Sequence, residues 1–308
     1  MPGDRVIDLS QSPARVSMRN DCLIVEREGE AAASAALVDI ACVVLSHRQI
    51  TISKGALDAV ARAGAALIVC GDDFLPSGLM LPLVANFEQS RRVIAQARAK
   101  RPLGKRMWQQ MVVAKIEAQA SNLESLRGDG FGLRALAASV RSGDPENVEA
   151  QAAQRYWKAL FDDPDFLRRR EAENQNKLLN YGYAVVRAAV GRALCAAGLH
   201  PSLGVHHHGR NNPFCLADDV MEPYRALVDH EVARIVGEWG SDAPLEGKTK
   251  SRLVGVLHER LTSKGEDRTV MDWIGRTAWS VAESFLTGVA AVEYPAGLTE
   301  RTDASGAP

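Results

Sequence analysis

Residues 40–71 read IACVVLSHRQITISKGALDAVARAGAALIVCG. The stretch opens with a short run rich in Val, Ile and Leu and follows it with QITIS, both strand-like. The period then changes. In KGALDAVARAG, Ala56, Leu57, Val60 and Ala61 recur at helical spacing, with Ser53 placed to cap the start and Gly64 to end it. AALIVCG returns to strand character. Nearer the N-terminus, RVIDLS and RVSMRNDCLIVER are further strand runs, broken by the turn formers Asn20-Asp21 and Glu28-Gly29. Gly71, Pro76 and Gly78 read as loops. Residues 1–86 are expected to form a small β-rich domain with one embedded helix.

From Phe87 the pattern is different. VIAQARAK (93–100), MWQQMVVAKIEAQASNLESL (107–126) and KLLNYGYAVVRAAVGRALCAAG (177–198) carry apolar residues at 3.6-residue spacing. Pro102, Gly128-Asp129-Gly130, Gly198 and GRNNP (209–213) interrupt them. Residues 87–295 are expected to be almost wholly helical. The last residues, YPAGLTERTDASGAP, read as a loose tail, taken as 296–308. The fold class is α+β, with a small β-rich start and a larger helical remainder.

Composition narrows the function. Of 308 residues, 46% are hydrophobic and 24% charged, enough apolar material for a real core. The formal net charge is -1, so any nucleic-acid contact must come from local clusters of Lys and Arg. The five cysteines are widely spaced with no C-x-x-C, which argues against a disulfide framework and a Cys-based zinc site. No apolar signal core follows the start MPGDRVIDLS, and no run of about 18 apolar residues occurs. No membrane contact and a reducing, cytoplasmic setting are expected.

The densest polar cluster is GLHPSLGVHHHGRNNPFCLADDVMEPYR, residues 198–225. His206, His207 and His208 sit in a loop bounded by Gly204 and Gly209, and Asp218, Asp219 and Glu222 follow. Pro223 predicts a short helical turn restarted beyond it. On a helix, Glu222 shares a face with Asp218 and with Asp219. Adjacent acids repel unless a cation neutralises them, and carboxylates plus an imidazole suit Mg²⁺ or Mn²⁺. Such an acidic pair is more often a solvated helix face. The histidine run alone also admits a zinc site on His206 and His208.

Two further signals stand apart from that loop. In DPENVEAQAAQRYWKALF, Asp144 and Pro145 read as a helix start; Glu149 and Tyr156 share a face, and Ala152 and Ala153 leave room for a neighbouring helix. From Arg91 to Ile116 the chain carries Arg91, Arg92, Arg98, Lys100, Arg101, Lys105, Arg106 and Lys115 with no acid. A run that basic in a neutral protein is expected to track phosphates. Arg168, Arg169 and Arg170 read instead as a solvated face, and Lys248 and Lys250 as a weak substrate-contact signal.

Three segments together resemble the CRISPR-associated Cas-one family. Glu149 with Ala152, Ala153, Tyr156 and Trp157 is similar to the family's Glu, paired Ala and aromatic pair. NKLLNYGYAVVRAAVGRAL (176–194) is similar to its Asn-Tyr-x-Tyr helix. Residues 198–225 resemble its Gly-Leu-x-Pro, Gly-x-x-His and Asp-x-Met-Glu-Pro succession. The β-rich start looks like the type II branch, and the resemblance spans about residues 4 to 295.

The resemblance implies Glu149, His207 and Glu222 as ligands of Mg²⁺ or Mn²⁺, with Asp219 as an auxiliary acid. It also implies a metal-dependent endonuclease and integrase acting on double-stranded DNA, joining a spacer fragment to a CRISPR array. A homodimer formed through the β-rich domain and a small Cas-two partner come with it. The alternatives are a catalytically silent DNA-binding scaffold and an unrelated zinc hydrolase.

Overall fold

The computed structural model describes residues 5–10, 12–71, 76–82, 86–169 and 174–296. Asn20 and Asp21 both take positive φ and fold β2 (Ala14–Arg19) onto β3 (Cys22–Glu26). β4 (Ala33–Ala36) pairs with β3, and β6 (Ile50–Ile52) runs parallel to β2, giving a sheet in the order β4-β3-β2-β6. The second sheet has the order β1-β5-β7-β8, from β1 (Arg5–Leu9), β5 (Ile40–Leu45), β7 (Ala66–Cys70) and β8 (Pro76–Met80). Its first three strands are parallel and β8 is antiparallel to β7.

The expected helix is present as α1 (Lys54–Arg62), capped by Ser53 Oγ accepting from the Ala56 amide at 3.1 Å, with Gly64 at φ +73 just beyond it. The strand β8 corrects the loop reading of Pro76 and Gly78. Pro76 opens an edge strand, where its missing N–H costs no ladder bond. β4, in AASAAL, carries no strand signal and is held by its pairing to β3.

Strand β5 explains how the site is carried. Its unbroken apolar run is covered on both faces. Ile40 and Val43 join the core beneath the other sheet, while Cys42 and Val44 pack with Ala66, Ile68 and Ala188 of α6 (Asn176–Ala196). The parallel strands therefore rest directly on a helix of the larger half.

That half contains α2 (Gln89–Ala97), α3 (Arg101–Arg127), α4 (Leu133–Ser139), α5 (Val148–Leu160), α6, α7 (Cys215–Met221), α8 (Arg225–Trp239), α9 (Gly247–Gly255) and α10 (Val270–Thr287). α6 and α8 pack closely: a Cβ on Gly182 would stand 2.4 Å from Val228 Cγ1. The reading of this half as wholly helical needs one correction. β9 (Arg260–Ser263) and β10 (Glu266–Thr269) form a hairpin through Lys264 and Gly265, both at positive φ.

The end of the chain is corrected too. Gln110 holds the Ala290 carbonyl and the Val292 amide, at 3.0 and 2.9 Å. Tyr294 donates to the Val220 carbonyl of α7 at 3.0 Å, and the Ala296 amide donates to Ser263 Oγ at 2.8 Å. Tyr294–Ala296 are thus docked, while the tail reading of 297–308 falls outside the described residues. All five cysteines are free thiols, and among the described residues no helix is long and apolar enough to cross a membrane.

Candidate metal centre

Helix α5 presents Glu149 from its first turn. The helix starts at Val148, later than Asp144-Pro145 suggested, because Asp144 and Asn147 take positive φ. Asp144 still caps it from the preceding loop, accepting from the Val148 and Glu149 amides at 2.8 and 3.0 Å. Tyr156, two turns on, is buried and donates to Asp229 of α8 at 3.0 Å.

Glu222 closes α7, where Pro223 separates it from α8 as expected. It is 7% exposed. Lys115, in the middle of α3, joins the two acids: its Nζ lies 2.5 Å from Glu149 Oε1 and 2.6 Å from Glu222 Oε2. Arg225 Nε donates to the other Glu222 oxygen at 3.0 Å. Burial alone would push the Glu222 carboxyl up, but Arg225 and Lys115 outweigh it and bring it down to about 2. Burial disfavours the Lys115 ammonium, yet the two acids hold its pKa above the usual value.

The histidine loop is built around Asp219, which is fully buried. Its carboxylate accepts from the Val205, His206 and His207 amides at 2.7, 3.1 and 3.1 Å, and bonds His207 Nδ1 at 2.6 Å. Gly204 is needed for this approach, since a Cβ there would meet the His207 carbonyl oxygen at 2.4 Å and Asp219 Oδ2 at 2.9 Å. The ionised carboxylate only accepts, so the neutral His207 ring carries its proton on Nδ1 and leaves Nε2 as a free donor atom for a metal. The Asp219 bond also raises the His207 pKa above the ordinary value, against a smaller opposing effect of burial.

The neighbours of His207 are used differently. His206 lies flat on Trp108, with ring centroids 4.0 Å apart and planes at 4°, and burial lowers its pKa. His208 is exposed. Asp218 is paired elsewhere than with Lys115: it accepts from Arg187 Nε at 2.6 Å and from Asn212 at 2.7 Å.

Lys115, Glu149 and Glu222 line a cleft of about 580 Å³ that also reaches Ser77, Gly78 and Leu79 of β8. Arg168, Arg187 and Arg225 line it as well. The reading of Arg168 as a solvated face is therefore corrected; Arg169 is exposed, and Arg170 lies outside the described residues. Asp229 sits in the wall, bonded by Tyr183 and Tyr156, and burial raises its pKa to about 6. Sequence reasoning missed Lys115 in this role, and Arg187, Arg225 and Asp229 altogether. A signal existed for Lys115: it continues the Met107, Met111 stripe of α3 at four-residue spacing, a core register for a charged residue.

The basic run divides. Arg98, Lys100, Arg101, Lys105 and Arg106 are exposed, and three of them line a shallow hollow with Pro102, Gln109 and Ser142. Arg91 is exposed and paired with Glu88 at 2.8 Å. Arg92 is 4% exposed, donates to the Ala197 carbonyl at 2.8 Å and covers the Trp279 ring at 4.1 Å, so it is a structural residue that cannot reach a phosphate. Lys250, the weak substrate-contact candidate, is 2% exposed beneath Tyr181.

The donor set suits a hard divalent ion. Two carboxylates meet at one cation position, and the His207 imidazole, its nitrogen oriented by a buried acid, lies within electrostatic reach of Glu222. As arranged, the ammonium takes that position, and among the described residues no three His, Cys, Asp or Glu side chains close on a single point.

Comparison with known proteins shows the family of the chain. The family model described as CRISPR associated protein Cas1 matches residues 9–239. The CRISPR-associated endonuclease Cas1 of Neisseria meningitidis serogroup C is 35% identical over 283 residues, covering 91% of each chain. A Cas1 endonuclease of Pyrobaculum aerophilum is 30% identical, covering 89% of this chain and 97% of its own. Among solved structures, a casposase bound to integration product superposes with a TM-score of 0.78 at 16% identity, over 99% of this chain and 96% of that one. A CAS1 protein from Thermotoga maritima gives 0.71 at 14% identity, over 92% and 97%. The chain belongs to the CRISPR-associated Cas1 family.

Proposed function

We propose that Glu149, Glu222 and His207 hold a Mg²⁺ or Mn²⁺ ion, and that this centre carries out the strand chemistry of CRISPR spacer acquisition. As a Cas1-family member the chain is a DNA endonuclease and integrase. The observation that carries the site assignment is the meeting of Glu149 and Glu222 at one cation position; His207, oriented by Asp219, is the imidazole within electrostatic reach of Glu222.

Each residue then has a task. The two carboxylates and His207 Nε2 place the ion, which when bound polarises the scissile phosphate and stabilises charge developing on its oxygens. Asp219 fixes the tautomer and angle of His207. Arg168, Arg187 and Arg225 line the cleft where phosphates would lie and offset their charge. The 3′-hydroxyl of the incoming DNA gives up its proton to water as its oxygen forms the new bond to phosphorus. The bond from phosphorus to the displaced 3′-oxygen breaks, and that oxygen takes up a proton from water. Water replaces the hydroxyl in simple cleavage. No side-chain nucleophile is required.

Double-stranded DNA as substrate, a homodimer formed through the β-rich half and a small Cas2 partner are part of the same proposal. The likeness to a chain of a Cas6-RT-Cas1–Cas2 complex, with a TM-score of 0.74 at 17% identity over 94% of this chain and 36% of that one, agrees with the fold such an assembly uses. The division of the chain between residues 86 and 87, the type II-like branch and a cytoplasmic setting are proposed on sequence pattern.

A strand-transfer assay with the partner protein and a pre-formed DNA fragment tests the reading. Wild type is expected to join strands in Mg²⁺ or Mn²⁺ and His207→Ala to fail while still binding DNA. Equal strand transfer by both proteins would refute the ligand set.

A further inference from the structure

The Lys115 ammonium stands where the proposed ion would stand, within hydrogen-bond distance of both acids. A divalent ion binds carboxylate oxygens at about 2.0–2.1 Å for Mg²⁺. Two cations cannot share that point: they would overlap and repel in a half-buried site where charge interactions are poorly screened. One of them has to leave.

The structure also contains a second resting place. Gln119 lies one turn after Lys115 on α3, so the two side chains are i, i+4 neighbours on the same face. Gln119 lines the same cleft and is 4% exposed, and among the described residues its Oε1 has no hydrogen-bond partner. A buried carbonyl oxygen left unpaired costs roughly 1–3 kcal/mol, so such an atom usually has a use. Because the two side chains share a helix face and a cleft, rotation of the Lys115 side chain is the motion that would carry its ammonium there.

We propose that Lys115 is a placeholder for the metal: it holds Glu149 and Glu222 together until the ion arrives, and then swings to Gln119 at the cleft wall. This rests on the metal reading above. It has two physical consequences. The two acids are prevented from repelling each other open before metal binds. Metal affinity is also reduced by the cost of displacing the ammonium, as when a binding-competent state is only partly populated.

The test uses full-length, metal-stripped protein. Mn²⁺ affinity is measured by titration calorimetry for wild type, Lys115→Met and Gln119→Leu, and acetylation of Lys115 is followed by mass spectrometry with and without saturating Mg²⁺. Lys115→Met is expected to bind Mn²⁺ about tenfold more tightly, the displacement cost being gone. Gln119→Leu is expected to bind it several-fold more weakly, an effect that simple removal of a positive charge does not predict. Lys115 acetylation in wild type is expected to rise several-fold on adding Mg²⁺. If wild type binds the ion while acetylation is unchanged and Lys115→Met binds no more tightly, the placeholder idea falls and the metal centre stands. If neither protein binds Mn²⁺, both fall. Should Lys115→Met not fold, the acetylation and Gln119→Leu measurements still decide.

Discussion

Two groups of cations in this molecule differ in how they are made. Arg98, Lys100, Arg101, Lys105 and Arg106 are neighbours in sequence and all exposed, spread from the end of α2 along the start of α3. Lys115, Arg168, Arg187 and Arg225 come from separate parts of the chain and are gathered by the fold into one cleft. The first group is a surface in which each charge acts nearly alone and in high dielectric. In the second, charges are partly or wholly withdrawn from water, and Lys115, Arg187 and Arg225 are bonded to acids, so that changing one alters its partners. A run of like charges marks a surface; a site is assembled from charges that are isolated in sequence.

The comparison can be broken most sharply at Glu222. Glu222→Gln is expected to reduce strand transfer by at least roughly 10²-fold, as for loss of a single electrostatic stabiliser, with DNA affinity little changed. A purified variant assayed in Mn²⁺ that retained wild-type rates would remove the cleft from the chemistry.

Asp219→Asn comes next, with metal affinity expected to weaken by about 10–100-fold, the usual cost of losing an orienting partner. The pH profile sharpens it. His207 must be neutral to bind the ion, and its raised pKa keeps it protonated where an ordinary histidine is already neutral. Wild-type strand transfer is therefore expected to rise with pH through a midpoint above 6.5, the ordinary histidine value. In Asp219→Asn that midpoint should move down. A profile flat through this range contradicts the assignment.

Charge reversal at Arg98, Arg101 and Arg106 should act on binding alone. The slope of log affinity against log salt is expected to fall by about 0.9 for each phosphate that is no longer neutralised, with the rate on saturating DNA unchanged. The smallest effect separates two near neighbours. Arg92→Ala should lower the melting temperature, having lost a buried charged hydrogen bond worth roughly 1.5–3 kcal/mol. It should leave DNA affinity intact. Arg98→Ala should do the reverse.

The sequence carried the fold where local preference and tertiary need agree. Ser53 and Gly64 bracket α1, and Asn20-Asp21 turns the β2–β3 hairpin, as residue chemistry dictates. β8 and the β9–β10 hairpin were invisible because pairing, not propensity, makes them strands: Pro76-Ser-Gly and Ser-Lys-Gly-Glu have little strand character of their own. At the candidate site a family pattern pointed to Glu149, His207, Asp219 and Glu222; the structure joins Glu149 and Glu222 through Lys115, and the ring bond to Asp219 sets His207 apart from its neighbours. Lys115 was visible only as part of a basic run, and that context pointed outward. Periodicity alone would have placed it on the buried stripe of α3, where charge is costly unless met by an opposite charge.

The segment after α10 crosses the molecule to reach α7. Tyr294 fastens to the Val220 carbonyl, between Asp219 and Glu222 in sequence, and Gln110 of α3 grips the backbone just before it. A chain nicked after Gly288 would keep every acid and imidazole of the centre, yet lose the buttress behind the helix that carries two of them. Residues 290–296 thus brace α7 through hydrogen bonds alone, and removing everything after Gly288 is expected to lower strand transfer relative to the whole chain while leaving every proposed ligand in place.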